Sequence, residues 1–319
     1  MNEPGHRPPG GFPARSADRL GSAEVVLQAP AKVNLHLEVI RRRHDGYHEI
    51  ETVLQAVELF DTVRVALFQR FPGGPPRLDL HVMPTQAAPG DEANLCWQAA
   101  RLFCDRQCVS AHLHIDLEKN IPVGAGLGGG SSDAVAVLMA CDRLFGTKLE
   151  TAQLESLAAE LGSDCPFFIR GGTMLARGRG TLLTPLPLIR SGHFLIVKPH
   201  IELNTSQVYG ALKMGLTVRS PKVNITGMKP LIARFPTSSW FGFNRLEEVV
   251  LPSQPMLQRL IFRLRELAPI AMLTGSGAAA VAVFAEDNLA PDITDEFART
   301  CSFVRVVGPH AAGVVFKEG

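Results

Sequence analysis

The sequence predicts an α+β protein of two domains. Strand and helix patterns are mixed along all 319 residues, and domains of about 150 residues favour two of them. The residue composition changes after residue 185, where two prolines lead into a new apolar strand. We therefore expect a tail at residues 1–22, an N-terminal domain at residues 23–185 and a C-terminal domain at residues 186–319.

Bulk composition restricts the possible partners. Hydrophobic residues make up 46% and charged residues 20% of the chain, and the formal net charge is +1. No overall field then attracts nucleic acid or acidic membranes, so we expect neither as a partner, and any anion site must be local. The apolar runs fall short of the roughly 18 residues that span a bilayer. Six cysteines without a C-x-x-C pair favour a reduced, cytoplasmic compartment.

The first 22 residues are rich in glycine, proline and arginine and lack the apolar core of a secretory signal. This composition favours a disordered tail. A transit peptide is the alternative, which the prolines disfavour because such peptides form amphipathic helices.

The spacing of apolar residues predicts the elements of both halves. In the N-terminal half it predicts strands at residues 24–37 (interrupted near Pro30), 49–59, 62–68, 78–82 and 111–118. Helices are predicted there at residues 93–103, 131–145 and 152–161, the last two ended by Gly146 and Gly162. In the C-terminal half we expect strands at residues 193–198, 271–274, 281–285 and 303–307 and helices at residues 256–267 and 292–301.

A glycine loop after the strand at residues 111–118 is the most informative stretch. Five glycines in the seven residues 124–130 let the backbone turn tightly and approach a ligand closely. Ser131 and Ser132 then open a helix, whose N-terminal N–H groups favour phosphate. The serine hydroxyls have three possible roles: capping the helix, binding phosphate or ligating Mg²⁺.

Other glycine motifs fit this loop less well. The lysine of a Walker A motif is absent after Gly130, and the H-R-D and D-F-G motifs of protein kinases do not occur. The Rossmann pattern matches Gly124, Gly126 and Gly129, but Asp142 lies on the loop's own helix and not after a second strand. An NAD enzyme and a glycine-rich turn without a ligand are therefore the weaker alternatives.

Three motifs together resemble a known family. They are Pro30-Ala-Lys-Val-Asn-Leu35, the loop from Pro122 to Ala134, and Leu273-Thr-Gly-Ser-Gly-Ala278. Their order and spacing resemble the GHMP kinases over nearly all of residues 24–319. The resemblance implies the two-domain GHMP kinase fold, with an N-terminal ribosomal-protein-S5-like nucleotide domain and a C-terminal ferredoxin-like domain.

Two further motifs, Asp45-Gly-Tyr-His48 and Leu161-Gly-Ser-Asp-Cys-Pro-Phe167, resemble one branch of that family. The branch phosphorylates a hydroxyl group of a cytidyl diphosphate in non-mevalonate isoprenoid precursor biosynthesis. The resemblance implies ATP and Mg²⁺ as cofactors, a small-molecule cytidyl diphosphate substrate, and a monomer or homodimer. Another GHMP kinase and a non-catalytic nucleotide-binding regulator are the alternatives.

The resemblance assigns the chemistry to Asp164 and Lys32. It implies that Asp164 accepts or orients the substrate hydroxyl, and that Lys32 polarises the nucleophile and offsets phosphate charge. Outside the motif, Asp164 would be an ordinary turn residue and Lys32 a solvated lysine.

The resemblance also implies where ATP binds. The expected residues of the loop are Pro122, Val123, Gly124, Ala125, Gly126, Leu127, Gly128, Gly129, Gly130, Ser131 and Ser132. Asn94 and Lys119 resemble the adenine-side residues of the family, although a helix cap and a surface lysine are competing interpretations. Metal ligands are left open among Ser131, Ser132 and Asp164, because no glutamate follows the serines before Glu150.

Substrate residues follow from the same motifs. Asn34 lies two residues after Lys32 on the same strand face and is expected to bind substrate. The resemblance makes Tyr47 and Tyr209 stacking partners of cytosine and His48 a hydrogen-bonding reader of its edge. Gly275, Ser276 and Gly277 are expected against the substrate and phosphates, with a hairpin turn as the competing interpretation. For residues 41–43, all arginine, a solvated turn is favoured over steering of the diphosphate.

Overall fold

The computed structural model describes residues 23–85, 87–212, 241–285 and 292–317, together with Ile232 and Phe235. The predicted tail at residues 1–22 lies outside this part of the chain. Twelve strands of the described residues form two sheets, and helices cover both, as an α+β fold requires. The fold class predicted from the sequence is confirmed.

The strands are, in chain order, β1 (Ala23–Arg42), β2 (His48–Arg70), β3 (Arg77–Met83), β4 (Ala111–Glu118), β5 (Thr173–Gly178), β6 (Leu182–Pro185), β7 (His193–Pro199), β8 (Phe243–Asn244), β9 (Ile270–Leu273), β10 (Ala280–Phe284), β11 (Cys301–Val307) and β12 (Val315–Phe316). The helices are α1 (Leu95–Gln107), α2 (Gly129–Phe145), α3 (Thr151–Leu161), α4 (Phe167–Arg170), α5 (Thr205–Ala211), α6 (Glu247–Ser253), α7 (Pro255–Leu267) and α8 (Ile293–Ala298).

The first sheet has the order β12-β1-β2-β4-β3, with β5 and β6 continuing from β2 and β8 pairing with β1. A long hairpin of β1 and β2 forms its centre, and the turn between the two strands is the first hairpin turn of the chain. Strands predicted separately at residues 49–59 and 62–68 are one strand, β2. The predicted interruption near Pro30 is a register shift between Pro30 and Ala31, because a bulge absorbs the irregularity without ending the strand.

Three helices, α1, α2 and α3, cover this sheet. Apolar side chains of α2 such as Val135 and Leu138 are fully buried, and they share a core with Phe103 of α1 and with Leu113 and Ile115 of β4. Gly146 ends α2 in the left-handed conformation at φ 69°, as predicted. The core therefore holds the N-terminus of α2, and with it the glycine loop, at a fixed place above β1.

The second sheet is antiparallel, in the order β11-β7-β10-β9. The amphipathic helix α7 buries Leu257, Ile261 and Leu264 against it. The other face of this second sheet packs on β1, because Val33 and Leu35 share a core with Ile196 and Met272. One strand therefore contacts both sheets, and residues on β1 lie where the two sheets meet.

The short elements β5, β6, β8, β12, α4, α5 and α6 escaped the sequence patterns, since two to seven residues carry too little periodicity. The helix predicted at residues 292–301 ends at Ala298, and β11 begins at Cys301 instead of residue 303. The strands β8 and β12 follow residue 185 in the chain but pair with β1 of the first sheet. The domain limits stay a prediction.

Candidate active site

A cleft of about 760 Å³ opens where β1, a strand of the first sheet, meets the second sheet. It brings together ten of the residues predicted for the site: Lys32, Asn34, Tyr47, His48, Gly126, Ser131, Asp164, Tyr209, Gly275 and Ser276. These residues come from β1, the first hairpin turn, the start of β2, the glycine loop, the first turn of α2, the turn after α3, helix α5 and the turn after β9. Only the tertiary structure makes them neighbours.

Lys32 and Asn34 lie buried on one face of β1, with 3% of each residue exposed. Lys32 Nζ donates to Asn34 Oδ1 at 2.9 Å and lies 3.5 Å from Asp164 Oδ2. Asn34 Nδ2 donates to Thr52 Oγ1 at 2.8 Å, which fixes the amide so that its oxygen faces the lysine. A buried ammonium is thus held next to a cleft carboxylate.

Asp164 lies in the turn between α3 and α4. The Cys165 N–H donates to the Gly162 carbonyl at 3.3 Å, and the Phe167 N–H donates to the Asp164 carbonyl at 3.2 Å. The backbone is thereby tied into the turn, while 42% of the Asp164 side chain stays exposed in the cleft. An accessible carboxylate beside a buried cation can accept a proton and carry part of its charge.

The glycine loop is packed against other parts of the protein. Gly126 and Gly128 have positive φ of 75° and 73°. A Cβ on Gly128 would lie 2.7 Å from Phe168 Cζ and 3.0 Å from Lys32 Cγ, and one on Gly126 would overlap the Thr274 carbonyl oxygen. The Lys32 N–H donates to the Leu127 carbonyl at 2.9 Å. Close approach of protein atoms therefore explains these two glycines, in addition to any ligand.

Of the eleven loop residues predicted to bind ATP, Gly126 and Ser131 line this cleft. The side chain of Ser132 is buried, and its hydroxyl has no hydrogen-bond partner among the described residues. Val123 is half exposed. Contacts between the loop and ATP stay a prediction.

Lys119 is buried inside the protein and not at its surface. Its ammonium contacts Asp61 and lies 2.7 Å from Asp133 Oδ2. Burial opposes its charge, but the two carboxylates outweigh burial and raise the pKa of Lys119. Burial and the charge of Asp61 raise the pKa of Asp133 well above its usual value. We refer to Asp61, Lys119 and Asp133 as the buried charge cluster.

Asn94 is the N-cap of α1. Its Oδ1 accepts from the Cys96 N–H at 2.9 Å, and its Nδ2 donates to the Pro89 carbonyl at 2.6 Å. The oxygen therefore caps the helix, and the amide nitrogen ties the side chain to the preceding loop. Roles for Asn94 and Lys119 on the adenine side stay predictions, and neither lines the cleft.

Two aromatic residues and a histidine line the outer end of the cleft. The rings of His48 and Tyr209 are 5.2 Å apart, and Tyr47 is 51% exposed. Burial and nearby Arg42 lower the pKa of His48, so its imidazole is neutral at pH 7 and offers one donor and one acceptor. Burial, then the charge of Asp164, raises the pKa of Tyr209. These rings can stack on a flat base, and the imidazole can read its edge.

The turn after β9 closes the cleft from the second sheet. Gly275 and Ser276 line it, whereas Gly277 does not. The Ser276 hydroxyl is 2.8 Å from that of Thr205, and Asn244 Nδ2 donates to the Gly275 carbonyl at 2.8 Å. The sequence did not reveal Asn244, because its strand, β8, has only two residues and belongs to no motif.

Several cleft residues were missed: Thr52, Ser163, Arg179, Thr205 and Ser206. Arg42, for which a solvated turn was favoured, also lines the cleft. Ser163 lies inside the motif at residues 161–167, so that motif offered a way to find it. Arg179 follows β5, whose six residues show no clear alternation. Nothing local in the sequence connects Arg179 with the site.

Comparisons with known proteins agree with this geometry. The model of the GHMP kinases N terminal domain matches residues 94–172. A 4-diphosphocytidyl-2-C-methyl-D-erythritol kinase of Syntrophomonas wolfei is 34% identical over 284 residues, covering 86% of this chain and 94% of the relative. The kinase of the same name from Heliobacterium modesticaldum is 38% identical over 273 residues, covering 79% and 83%.

Solved structures give the same result. A crystal structure of 4-(cytidine 5'-diphospho)-2C-methyl-D-erythritol kinase is 32% identical, with a TM-score of 0.71 over 89% of this chain and 99% of that chain. A homoserine kinase from Cytophaga hutchinsonii also has a TM-score of 0.71, over 96% and 100%, but at 19% identity it shares the fold alone.

The fold and the cleft define a GHMP kinase, an ATP-dependent small-molecule phosphotransferase with an alcohol group as acceptor. The resemblance inferred from the motifs is confirmed at this level. Within the class, the chain belongs to the family of 4-diphosphocytidyl-2-C-methyl-D-erythritol kinases, as its similarity to relatives along most of their length shows. Of the helices in the described part of the chain, none has both the length and the apolar character needed to cross a membrane.

Proposed function

We propose that this protein transfers the γ-phosphoryl group of ATP to the 2-hydroxyl group of 4-diphosphocytidyl-2-C-methyl-D-erythritol. The reaction belongs to non-mevalonate isoprenoid precursor biosynthesis. One observation carries the proposal: a single cleft contains both the Lys32–Asp164 pair and the base-reading set of Tyr47, His48 and Tyr209. The pair suits phosphoryl transfer, and the aromatic set suits a nucleobase.

In this reaction the substrate hydroxyl lies against the Asp164 carboxylate. Its oxygen attacks the γ-phosphorus, its proton passes to Asp164, and the bond to the β-phosphate oxygen breaks to release ADP. Lys32, 3.5 Å from Asp164 Oδ2, offsets the negative charge that collects between donor and acceptor. Positioning and charge are sufficient for such a transfer, so no phosphoenzyme forms.

The base is recognised at the outer end of the cleft. Cytosine stacks between Tyr47 and Tyr209, and the neutral imidazole of His48 hydrogen-bonds its edge. Stacking of this kind contributes about 1–3 kcal/mol per base. Asn34, Gly275 and Ser276 then contact the rest of the substrate, and Gly277 supports their turn through its N–H to the Thr274 carbonyl.

ATP binds along the glycine loop, from Pro122 to Ser132, with Asn94 and Lys119 at the adenine side. Mg²⁺ is the proposed metal. Ser131 and Asp164 present oxygen atoms to the same cleft, and Mg²⁺ is bound in such sites by one or two protein oxygens together with phosphates and water. The buried, unpaired hydroxyl of Ser132 is the third candidate. When bound, the ion neutralises charge on the phosphates.

We also propose a cytoplasmic monomer or homodimer that binds neither nucleic acid nor membranes. The formal net charge of +1 supports the absence of these partners. All six cysteines are unpaired thiols, which supports a reduced compartment.

The test is ATP-dependent release of ADP by the purified protein with Mg²⁺ and the cytidyl diphosphate substrate, next to homoserine and phosphomevalonate. We expect turnover with the cytidyl substrate alone. Turnover with another alcohol would keep the kinase and remove the cytosine pocket. ATP binding without turnover of any alcohol would favour a non-catalytic regulator.

A further inference from the structure

The cleft has an excess of positive charge that the catalytic pair does not explain. Its charged side chains are Lys32, Arg42, Arg179 and Asp164. Lys32 is paired with Asp164. Within the described chain, neither Arg42 nor Arg179 has a carboxylate at ion-pair distance, and two cations in one cleft without an anion favour an anionic ligand.

The three arginines of the first hairpin turn differ in this respect. Arg43 pairs with Asp45 at 3.0 Å and with Glu49 at 2.8 Å, and Arg41 lies 3.9 Å from Glu49. Their charges are therefore compensated on the protein surface. Arg42 alone of the three lines the cleft.

Arg179 is held in place before any ligand arrives. Its guanidinium donates to the Ala159 carbonyl at 2.7 Å and lies over the Tyr47 ring at 5.3 Å from the centroid. A guanidinium has five N–H donors, and no other acceptor for them occurs among the described residues. The unused donors of a fixed planar fork match the oxygens of a phosphate group.

The position of Arg179 is between the two ends of the cleft. On one side it contacts Tyr47, at the base-reading end. On the other side its neighbour Gly180 contacts the turn between α3 and α4, which carries Asp164. A Cβ on Gly180 would lie 3.7 Å from the Ser163 carbonyl oxygen in that turn. In a cytidyl diphosphate the diphosphate joins the nucleoside to the alcohol, so it must lie between these ends.

We propose that Arg179, together with Arg42, binds the diphosphate group of the substrate and so selects nucleoside diphosphate alcohols over uncharged ones. This inference rests on the proposed function, because it requires the base and the acceptor hydroxyl to occupy the two ends of the cleft. Arg179 acts as a substrate ligand, and its contact with Tyr47 keeps the guanidinium pointed at the middle of the cleft.

The test compares the binding of cytidine, CMP and CDP by titration calorimetry, with a saturating non-hydrolysable ATP analogue to occupy the nucleotide site. We expect wild-type protein to bind CDP more tightly than cytidine. Arg179→Gln should weaken CDP binding about 10- to 100-fold while cytidine binding changes by less than about twofold, as loss of a charge-assisted hydrogen bond predicts. Arg179→Lys should retain part of the preference for CDP over cytidine, since lysine keeps the positive charge but lacks the planar set of guanidinium donors.

Two further variants keep the result interpretable. Arg42→Gln changes an exposed side chain without an ion-pair partner in the described structure, so it should fold normally and lower CDP affinity in the same selective way. Arg305→Gln is the matched control, because that guanidinium also lies over a ring, Phe303 at 5.8 Å, but outside the cleft. It should change the affinity of neither ligand.

Equal losses of cytidine and CDP affinity in Arg179→Gln would overturn the proposal and leave Arg179 as a support for Tyr47. Unchanged affinity for both ligands would overturn it as well. Turnover of the cytidyl substrate by wild-type protein is measured in parallel. If wild-type protein turns over the cytidyl substrate but Arg179→Gln does not lose CDP affinity selectively, the diphosphate site alone is refuted. If wild-type protein shows no turnover and no preference for CDP over cytidine, the proposed function is refuted too.

Discussion

Lys32 and Asn34 form a hydrogen-bonded pair whose partners come from distant parts of the chain. Thr52 on β2 holds the Asn34 amide, and the hydroxyl of Thr274 accepts from the Asn34 N–H at 3.2 Å. Both side chains are buried, so each polar atom needs a partner. The arrangement holds the ammonium 3.5 Å from Asp164 Oδ2 through hydrogen bonds within the protein.

Asp164→Asn should lower kcat strongly and leave ATP binding nearly unchanged. An amide cannot accept the hydroxyl proton, and general-base catalysis contributes about 10²- to 10⁴-fold. Steady-state kinetics gives kcat, and calorimetry with a non-hydrolysable analogue gives the ATP affinity. Normal turnover in this variant would remove Asp164 from the mechanism.

At the scale of elements, the glycine loop and the turn after β9 are packed backbone to backbone. The Ala279 N–H donates to the Ala125 carbonyl at 3.2 Å, and the Thr274 hydroxyl donates to the Gly126 carbonyl at 3.3 Å. The first and second sheets therefore meet at this contact. A side chain at Gly126 would separate them, because its Cβ overlaps the Thr274 carbonyl.

Gly126→Ala should lower the free energy of unfolding more than Gly124→Ala does. Both glycines have positive φ, at 75° and 64°, so each alanine costs about 1 kcal/mol of backbone strain. Gly124 has no neighbour within 4 Å of a Cβ, whereas Gly126 adds an overlap of about 1–3 kcal/mol. Denaturant titration of both variants measures the difference, and equal losses would contradict the close packing seen here.

The buried charge cluster ties three elements together beneath the loop. Asp61 on β2 accepts from the Ile121 N–H at 2.8 Å, Lys119 follows β4, and Asp133 belongs to α2. One cation stands between two carboxylates that are almost fully buried. Removal of that cation would leave uncompensated negative charge in the interior.

Lys119→Met should reduce the free energy of unfolding by about 3–5 kcal/mol at neutral pH. The folded-state pKa of Asp133 is already raised, and without Lys119 it rises further. A carboxyl whose folded pKa exceeds its unfolded value of about 3.9 destabilises the fold increasingly as pH rises above that value. The loss relative to wild type should therefore be smaller at pH 5 than at pH 8.

Asp133→Asn is the control for the cluster, because it removes one carboxylate and keeps Lys119 paired with Asp61. It should destabilise the protein less and flatten the pH dependence. An equal loss at both pH values in Lys119→Met would show that packing, and not charge, explains the effect. A raised KM for ATP with unchanged stability would instead support the adenine-side role.

At the scale of the whole molecule, the C-terminal segment packs on the first sheet and adds a strand to its edge. The N–H groups of His310, Val314 and Lys317 donate to carbonyls of Ala56, Phe168 and Val26 at 2.8–2.9 Å. The strand β12 then extends the sheet beside β1. Residues from both ends of the chain thus form one sheet, so the two predicted domains share more than a linker.

Deletion of residues 308–319 should destabilise the protein by about 4 kcal/mol or more. It removes these three backbone hydrogen bonds, a fourth from the Glu58 N–H to the Gly308 carbonyl, and the buried side chain of Val314, at about 1 kcal/mol for each hydrogen bond. Deletion of residues 1–22, the predicted disordered tail, is the comparison and should leave Tm unchanged. Thermal unfolding measures both, and a stable C-terminal deletion would mean that β12 is dispensable.

The sequence by itself determined the class of the fold and most long elements, and it predicted the parts of the site that belong to local motifs. Helical and alternating patterns predicted α1, α2, α3, α7 and the main strands, because each covers several periods. The motifs predicted Lys32, Asp164, Tyr47 and His48, because each lies in a short run that resembles the GHMP kinases.

Only the tertiary structure decided how those parts meet. It placed Arg179 beside Tyr47, Asn244 beneath the turn after β9, and Lys119 between two buried carboxylates. It also joined β8 and β12 to the first sheet. These contacts link residues far apart in the chain, and their energies depend on burial and on charges across space, which no local pattern of residues records.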